Sequence, residues 1–142
     1  MKRSVFLTHW LPLLCWMGLI FLLSHQDKTE SNRTSEWLLW ILDRLGIDPE
    51  VFREQGGRLL LRKLAHFTEY AVLYPLAFRV VVRYVALPRA LWMTLLGCAV
   101  YAASDEWHQS FVPGRGPTPW DVLIDTCGAT CSMLFVWLRR KK

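Results

Sequence analysis

The chain has 142 residues, of which 53% are hydrophobic, eight are tryptophan and 20% are charged. The apolar residues form long blocks, a distribution that is untypical of a soluble domain. The formal net charge of +5 needs no nucleic-acid partner, because the excess lies in short basic flanks of the apolar blocks where anionic lipid accounts for it. We therefore expect a membrane protein that does not bind nucleic acid.

The first apolar block runs from Val5 to Leu23, about the length that crosses a hydrocarbon core of roughly 30 Å. No small-x-small cleavage site follows it, so we expect it to be retained rather than removed as a signal sequence. Three further spans are expected, and with the first they make residues 1–142 a single all-helical membrane domain of about four transmembrane helices. Their approximate bounds are 64–82, 88–106 and 122–138.

Two of these spans carry polar residues. The third reaches spanning length only if its helix begins near Tyr84 or continues through Asp105 to His108, and the second of these places Asp105 at the membrane boundary. The second contains His66, Glu69 and Arg79, so a buried amphipathic core helix is its alternative.

The first connection, residues 24–62, contains an amphipathic segment between Glu36 and Gly46. Its apolar stripe at helical spacing consists of Trp37, Leu38, Ile41, Leu42 and Leu45. An interfacial helix on the bilayer surface and a helix packed on the bundle both fit this pattern. A short second helix is expected to begin near Pro49.

Basic residues are distributed unevenly over the connections. Arg79, Arg83 and Arg89 lie in and around the connection between the second and third spans, with no acid among them, and residues 139–142 are all basic. By the positive-inside rule these regions are cytoplasmic. The connection before the fourth span has Arg115 as its only Lys or Arg and is then extracytoplasmic. We expect a multi-pass protein of the cytoplasmic (inner) membrane with both termini in the cytoplasm.

Polar residues interrupt the outer ends of the last three spans, and we expect them to converge on one face. On the second span Arg62, His66 and Glu69 share a helical stripe. Asp105 and Gln109 are four residues apart near the end of the third span, and so are Asp121 and Asp125 at the start of the fourth. The candidate site residues are Arg62, Lys63, His66, Glu69, Asp105, Glu106, His108, Gln109, Arg115, Asp121 and Asp125.

These residue types support several chemistries. A divalent metal is one, with candidate ligands His66, Asp105, His108 and Asp121. Acid–base catalysis is a second, with candidates His66, Glu69, Asp105, Glu106, His108, Asp121 and Asp125. Binding of an anionic ligand is a third, with candidates Arg62, Lys63, His66, Gln109 and Arg115. The alternative to all of them is a set of ion pairs that fix helix register.

Three motifs, together with Ser24-x-Gln26 after the first span, resemble the signature of VanZ-like membrane proteins. They are Arg62-Lys63-x-Ala65-His66-Phe67-x-Glu69-Tyr70, Asp105-Glu106-x-His108-Gln109-x-Phe111-x-Pro113-Gly114-Arg115 and Asp121-Val122-x-x-Asp125-x-x-Gly128. The resemblance implies a small bacterial integral membrane protein of the cell envelope. The family is named for a member that confers low-level resistance to the lipoglycopeptide teicoplanin, and the resemblance implies no particular reaction.

Three functions follow as hypotheses. The first is binding of an anionic lipid headgroup, a lipid-linked envelope precursor or a lipoglycopeptide, with an antibiotic resistance role of the teicoplanin type. The second is a membrane-embedded hydrolase or transferase acting on a phosphorylated lipid. The third is a proton or ion pathway lined by the carboxylates. A homodimer is compatible with so thin a bundle, although no Gly-x-x-x-Gly motif supports it.

Overall fold

The structure, a computed structural model, describes residues 5–26, 36, 39–41, 43, 44, 46, 48–54, 56–114, 116 and 118–141. Within these residues all regular structure is helical, which confirms the all-α prediction. The helices are α1 (Phe6–His25, whose first turn Phe6–Trp10 is a π-helix), α2 (Pro49–Glu54), α3 (Gly57–Val81), α4 (Leu87–Gln109) and α5 (Pro119–Arg140).

Two helices of the described part, α1 and α5, are both long enough and apolar enough to cross a membrane. With 25 and 23 residues, α3 and α4 extend over ~37 Å and ~35 Å at ~1.5 Å per residue, so they match the thickness of a bilayer in length. Their composition differs from that of α1 and α5, because α3 and α4 carry several charged residues, among them Arg62 and Asp105. Four helices are thus long enough to cross a bilayer, but two of them are also apolar enough. A bundle of four spans therefore stays a prediction.

Helix α3 packs along α5, and α4 packs against both. The α3–α5 contact is closest at Gly128, where an added Cβ atom would lie only 2.2 Å from the backbone carbonyl oxygen of Phe67. Asp121 and Asp125 lie on the same face of α5 as Gly128 and are buried with it. The close contact therefore presses the two carboxylates against α3.

The core below this contact consists of apolar and aromatic side chains, with Ile20, Tyr70, Tyr74 and Ala129 fully buried. Aromatic polar groups join the helices through backbone carbonyls. The indole nitrogen of Trp16 donates to the carbonyl oxygen of Glu69 at 2.9 Å, which connects α1 to α3. Such bonds satisfy buried donors while the rings contribute apolar area to the core.

Basic residues gather at one end of the bundle. Arg83, just after α3, lies 3.3 Å from the imidazole of His9 in α1, and the guanidinium of Arg140 lies over the ring of Phe78. Arg89 begins α4 at the same end. The acids of α4 and α5 lie at the opposite end, so charge is segregated along the long axis of the bundle.

The amphipathic segment of the first connection is described in part. Residues 39–41 are helical, with Leu39 1% exposed and Trp40 55% exposed. Leu39 therefore packs against protein. Of the predicted stripe, Ile41 is described and half-buried, whereas Trp37, Leu38, Leu42 and Leu45 lie outside the described residues. Helix α2 begins at Pro49, where the Asp48 carboxylate accepts a hydrogen bond from the backbone N–H of Glu50 at 2.9 Å.

Candidate functional site

Side chains from α1, α3, α4 and α5 meet at the end of the bundle away from the basic residues. We call this group the polar cluster. Its members are Ser24, Arg62, Lys63, His66, Asp105, Glu106, Gln109, Asp121 and Asp125.

Two cations form the outer part of the polar cluster. The ammonium group of Lys63 donates to Asp121 Oδ1, and Arg62 Nη2 lies 3.8 Å from Asp121 Oδ2. Arg62 also donates to Gln109 Oε1 at 3.3 Å. The Asp121 side chain is only 2% exposed, whereas those of Arg62 and Lys63 keep 31% and 27% of their surface exposed. Both cations therefore remain accessible although they are paired with a buried acid.

Deeper in the bundle, His66 and Asp125 form a buried pair. Nδ1 of His66 lies 3.2 Å from Asp125 Oδ1, and both side chains are buried. If Nδ1 carries the proton and donates it to the carboxylate, Nε2 has a free lone pair. This is the arrangement that orients a histidine for proton transfer or for metal ligation.

A second hydrogen-bonded group joins α1 to α4. Ser24 Oγ donates to Asp105 Oδ2 at 2.5 Å, and Gln109 Nε2 donates to the same oxygen and to Ser24 Oγ, each at 3.1 Å. Both of these hydrogen bonds to the Asp105 carboxylate therefore come from neutral donors. Ser24 was not among the predicted site residues, and its position in the Ser24-x-Gln26 pattern is the signal that indicates it.

Glu106 connects the polar cluster to a cleft. Its Oε2 accepts the backbone N–H of Thr118 at 2.9 Å, just before α5 begins. The cleft, of about 380 Å³, lies between the C-terminal end of α4 and the N-terminal end of α5. Its lining consists of Ala103, Glu106, Trp107, Ser110, Thr118, Pro119 and Val122, so Glu106 is the charged residue of an otherwise mainly apolar lining.

Unpaired polar atoms concentrate in this region. In the described part of the chain, six buried side-chain nitrogen or oxygen atoms have no hydrogen-bond partner, and all but Trp10 Nε1 lie in or beside the polar cluster. These five are Arg62 Nε, Tyr70 Oη, Glu106 Oε1, Thr118 Oγ1 and Asp125 Oδ2. Because folded proteins satisfy the great majority of buried polar atoms, such a concentration indicates a place where a ligand, ion or water completes the site.

One subset of the polar cluster has the geometry of a metal site. His66, Glu106 and Asp121 each place one ligand atom so that all three atoms lie within 4.8 Å of one another, and all three residues are buried. Two of them, His66 and Asp121, were predicted metal ligands. Glu106 was predicted as a catalytic candidate.

The remaining predicted residues lie elsewhere. His108 is turned toward α1, where its Nε2 lies 3.2 Å from His25 Nδ1 and its ring lies against Phe21. Glu69 is half-buried one turn further along α3 from His66. Arg115 lies outside the described residues. The structure thus brings together Arg62, Lys63, His66, Asp105, Glu106, Gln109, Asp121 and Asp125 from the predicted set.

The charges of the polar cluster do not balance among the described residues. The cluster contains four carboxylates, those of Asp105, Glu106, Asp121 and Asp125, against two permanently cationic side chains, Arg62 and Lys63, both of which lie at Asp121. Buried ions are costly unless they are compensated, so the excess must be removed by a bound cation, by protonation or by protonated His66. The same arrangement can bind an anion at its cationic rim, hold a metal ion or use His66 as a general base.

The comparison with protein families agrees with these motifs. The VanZ/LLP1 family model matches residues 9–140, a range that contains α1 from His9 onward, α2 to α5 and the whole polar cluster. No match is found among curated proteins or solved structures. The family membership and the two long apolar helices support a membrane protein, and the resemblance predicted from the three motifs is confirmed. The chain belongs to the VanZ/LLP1 family.

Proposed function

We propose that this VanZ-like protein binds the anionic headgroup of a lipid, or of a lipid-linked envelope precursor, in the polar cluster on the outer side of the bacterial cytoplasmic membrane. The lipid enters with its headgroup between α4 and α5. Its acyl or prenyl chain remains along the apolar side of the bundle.

The cleft beside Glu106 is the observation that carries this proposal. It has a mainly apolar lining on the sides of two helices and ends at buried polar groups, an arrangement that fits an amphiphile better than a soluble metabolite. Around its mouth, Trp107, Phe111 and Trp120 are each about two thirds exposed. Large exposed aromatic side chains of this kind are typical of the membrane–water interface.

The rim cations supply the attraction for a negative headgroup. Arg62 and Lys63 contact Asp121 but keep about a third of their side-chain surface exposed. A guanidinium group binds phosphate through paired N–H donors and an ammonium group adds a point charge. A phosphate at the rim would also supply acceptors for the cluster's donors.

The orientation of the proposal follows from the segregated charges. Arg79, Arg83, Arg89 and Arg139 lie at the end opposite the polar cluster. The positive-inside rule places that end in the cytoplasm, with all four long helices crossing the bilayer. The polar cluster then faces the outside, where envelope precursors are consumed and where a lipoglycopeptide such as teicoplanin would meet it.

Retention of lipid through gentle purification tests the proposal. Native mass spectrometry compares the wild type with Arg62→Ala and Lys63→Ala after reconstitution with phosphatidic acid, and separately with phosphatidylcholine. We expect the wild type to retain phosphatidic acid selectively and each variant to lose at least about tenfold of that selectivity, because a charged hydrogen bond contributes about 1.5–3 kcal/mol.

Matched controls are available in the same chain. Arg139→Ala and Lys141→Ala remove the same charges at the other end of the bundle and should leave selectivity unchanged. Ala103→Trp fills the cleft while every side chain of the polar cluster is kept and should abolish retention, whereas Val100→Trp, one turn away on the exposed side of α4, should not. Equal retention in the wild type, Arg62→Ala and Ala103→Trp would refute the proposal.

A further inference from the structure

We infer that His66, Glu106 and Asp121 bind a divalent transition-metal ion, whose open coordination position forms the inner end of the headgroup site. The inference deepens the proposed function: its consequence for lipid binding rests on that function, whereas the metal site itself does not. The site combines ligands from α3, α4 and α5.

The ligand geometry is the first support. One ligand atom from each of the three residues lies within 4.8 Å of the others, so a single ion between them can reach all three at ordinary metal–ligand distances of about 2.0–2.2 Å with small side-chain movements. Three protein ligands leave a coordination position open. In metal sites that act on substrates, this position is taken by water or by an oxygen of the substrate.

An unpaired oxygen is the second, independent support. Glu106 is 4% exposed, and its Oε1 is buried with no hydrogen-bond partner among the described residues. Its Oε2 is held by the backbone N–H of Thr118, which fixes the carboxylate in place. A buried carboxylate oxygen without a donor is costly, and a metal ion satisfies it directly.

Asp125 completes the arrangement from behind. Its Oδ1 lies 3.2 Å from Nδ1 of His66, and with the ring proton on Nδ1 this contact holds the ring with Nε2 available as a ligand. A carboxylate in this position also makes the imidazole a stronger ligand. The four carboxylates of the polar cluster exceed its two fixed cations by two charges, and a divalent ion removes that excess.

The ligand types restrict the metal. One imidazole nitrogen with two carboxylate oxygens suits Zn²⁺ and Mn²⁺, whereas Mg²⁺ and Ca²⁺ prefer oxygen ligands throughout. The described cysteines do not contribute, since Cys127 and Cys131 are exposed on α5 and Cys98 is buried away from the ligands. A soft, thiolate-bound metal is therefore excluded at this site.

The metal resolves an electrostatic conflict in the cleft. Glu106 alone would repel the anionic headgroup that the cleft is proposed to admit. With a divalent ion bound to Glu106, the negative charge of this carboxylate is compensated, and a phosphate oxygen can take the open coordination position. Arg62 and Lys63 then bind the same phosphate from the rim.

The test is a metal titration of purified full-length protein in detergent after chelator treatment. Isothermal titration calorimetry with Zn²⁺ alone and Mn²⁺ alone should show one ion per chain in the wild type. His66→Ala, Glu106→Gln and Asp121→Asn should each weaken binding at least 100-fold. Substitution with Co²⁺ supplies a second readout, because its visible absorption should show a nitrogen and oxygen ligand field that changes in His66→Ala.

His108→Ala and Glu54→Gln are the matched controls, since both residues lie outside the ligand set, and they should bind as the wild type does. Circular dichroism of each variant verifies the helical fold, and Glu106→Gln keeps the side-chain shape should His66→Ala fail to fold. Absence of stoichiometric binding by well-folded wild type, or equal binding by Glu106→Gln, would overturn the inference.

A lipid measurement separates the inference from the proposed function. If the wild type binds the ion and loses phosphatidic acid on chelation, both are supported. Metal binding without lipid retention would support the metal site and reject the headgroup proposal. Lipid retention by a protein that binds no metal would overturn the metal site and leave the headgroup proposal in place.

Discussion

Asp121 is the residue on which the outer part of the polar cluster depends. It is almost fully buried, accepts the ammonium group of Lys63, lies near the guanidinium of Arg62, and places one oxygen among the metal-ligand atoms. A carboxylate has about four lone-pair sites, so these contacts are compatible with one another. The Asp121 side chain is therefore shared by the ion pairs with Lys63 and Arg62 and by the proposed metal site.

Replacing this carboxylate tests its structural role. Asp121→Asn should lower the free energy of unfolding by about 1–3 kcal/mol, because the amide leaves Lys63 without its counter-charge while solvent screens the exposed part of the pair. Denaturation in mixed micelles, followed by circular dichroism, measures the change. The control is Asp43→Asn, because Asp43 is exposed and lies outside the polar cluster. This change should leave the free energy of unfolding unaltered.

A double-mutant cycle separates pairing from side-chain shape. If Lys63→Met together with Asp121→Leu costs less than the sum of the two single changes, the pair is coupled as the geometry indicates. Additive losses would contradict a direct Lys63–Asp121 interaction. The cycle needs no knowledge of the ligand.

At the level of the helices, the approach of α5 to α3 has the strictest steric requirement. An added methyl group at Gly128 would overlap the carbonyl oxygen of Phe67, and backbone atoms on both sides leave no flexible side chain to yield. Small residues at such crossings let helices pack closely inside membranes. Here the close crossing also sets the separation between His66 and Asp125.

Gly128→Ala should therefore destabilise the protein by about 1–3 kcal/mol, the usual cost of overpacking, and should reduce metal and lipid binding together. The comparison is Gly97→Ala, in the middle of α4, where a Cβ atom meets nothing within 4 Å. That change should be neutral or stabilising by about 0.5–1 kcal/mol, since alanine is the better helix former. Similar losses for both variants would show that the Phe67 contact is not limiting.

The helices also show which parts of the site can be predicted from spacing. Arg62 and His66 on α3, and Asp121 and Asp125 on α5, are four residues apart, and each pair does turn the same way. These helices each present one main polar face to the bundle, so helical periodicity is sufficient. The all-helical fold and the family were predictable for the same reason, since both depend on local pattern.

Helix α4 was less predictable, because it has partners on opposite sides. Asp105 bonds to Ser24 of α1, Glu106 turns toward α5, and His108 packs against His25 and Phe21 of α1. Spacing relates these side chains to each other but does not say which neighbour each faces. Ser24 was difficult for a related reason: the Ser24-x-Gln26 pattern indicates it only through the family resemblance, because helical spacing does not relate a serine at the end of an apolar block to the other site residues.

The molecule as a whole has a charge axis, with Arg83 and Arg140 toward one end and the carboxylates of the polar cluster toward the other. This asymmetry is the basis for the proposed orientation. In a version whose native cysteines are replaced by alanine, Glu50→Cys should react with a membrane-impermeant maleimide in intact spheroplasts. Lys141→Cys should react only after permeabilisation.

The cysteine-free protein is the background control for this labelling. Reaction of Lys141→Cys in intact spheroplasts would reverse the proposed orientation. Reaction of both positions from the same side would require an even number of spans between them. Either result would contradict the four-span arrangement on which the outer position of the polar cluster rests.

The position of the cleft between α4 and α5 has a consequence for how binding depends on concentration. Because its lining residues lie on the sides of these helices, the proposed lipid would reach Glu106 by diffusing in the plane of the bilayer without passing through water. Occupancy would then be set by the mole fraction of that lipid in the surrounding leaflet rather than by any aqueous concentration. The protein would respond to changes in leaflet composition even where the free lipid in solution is negligible.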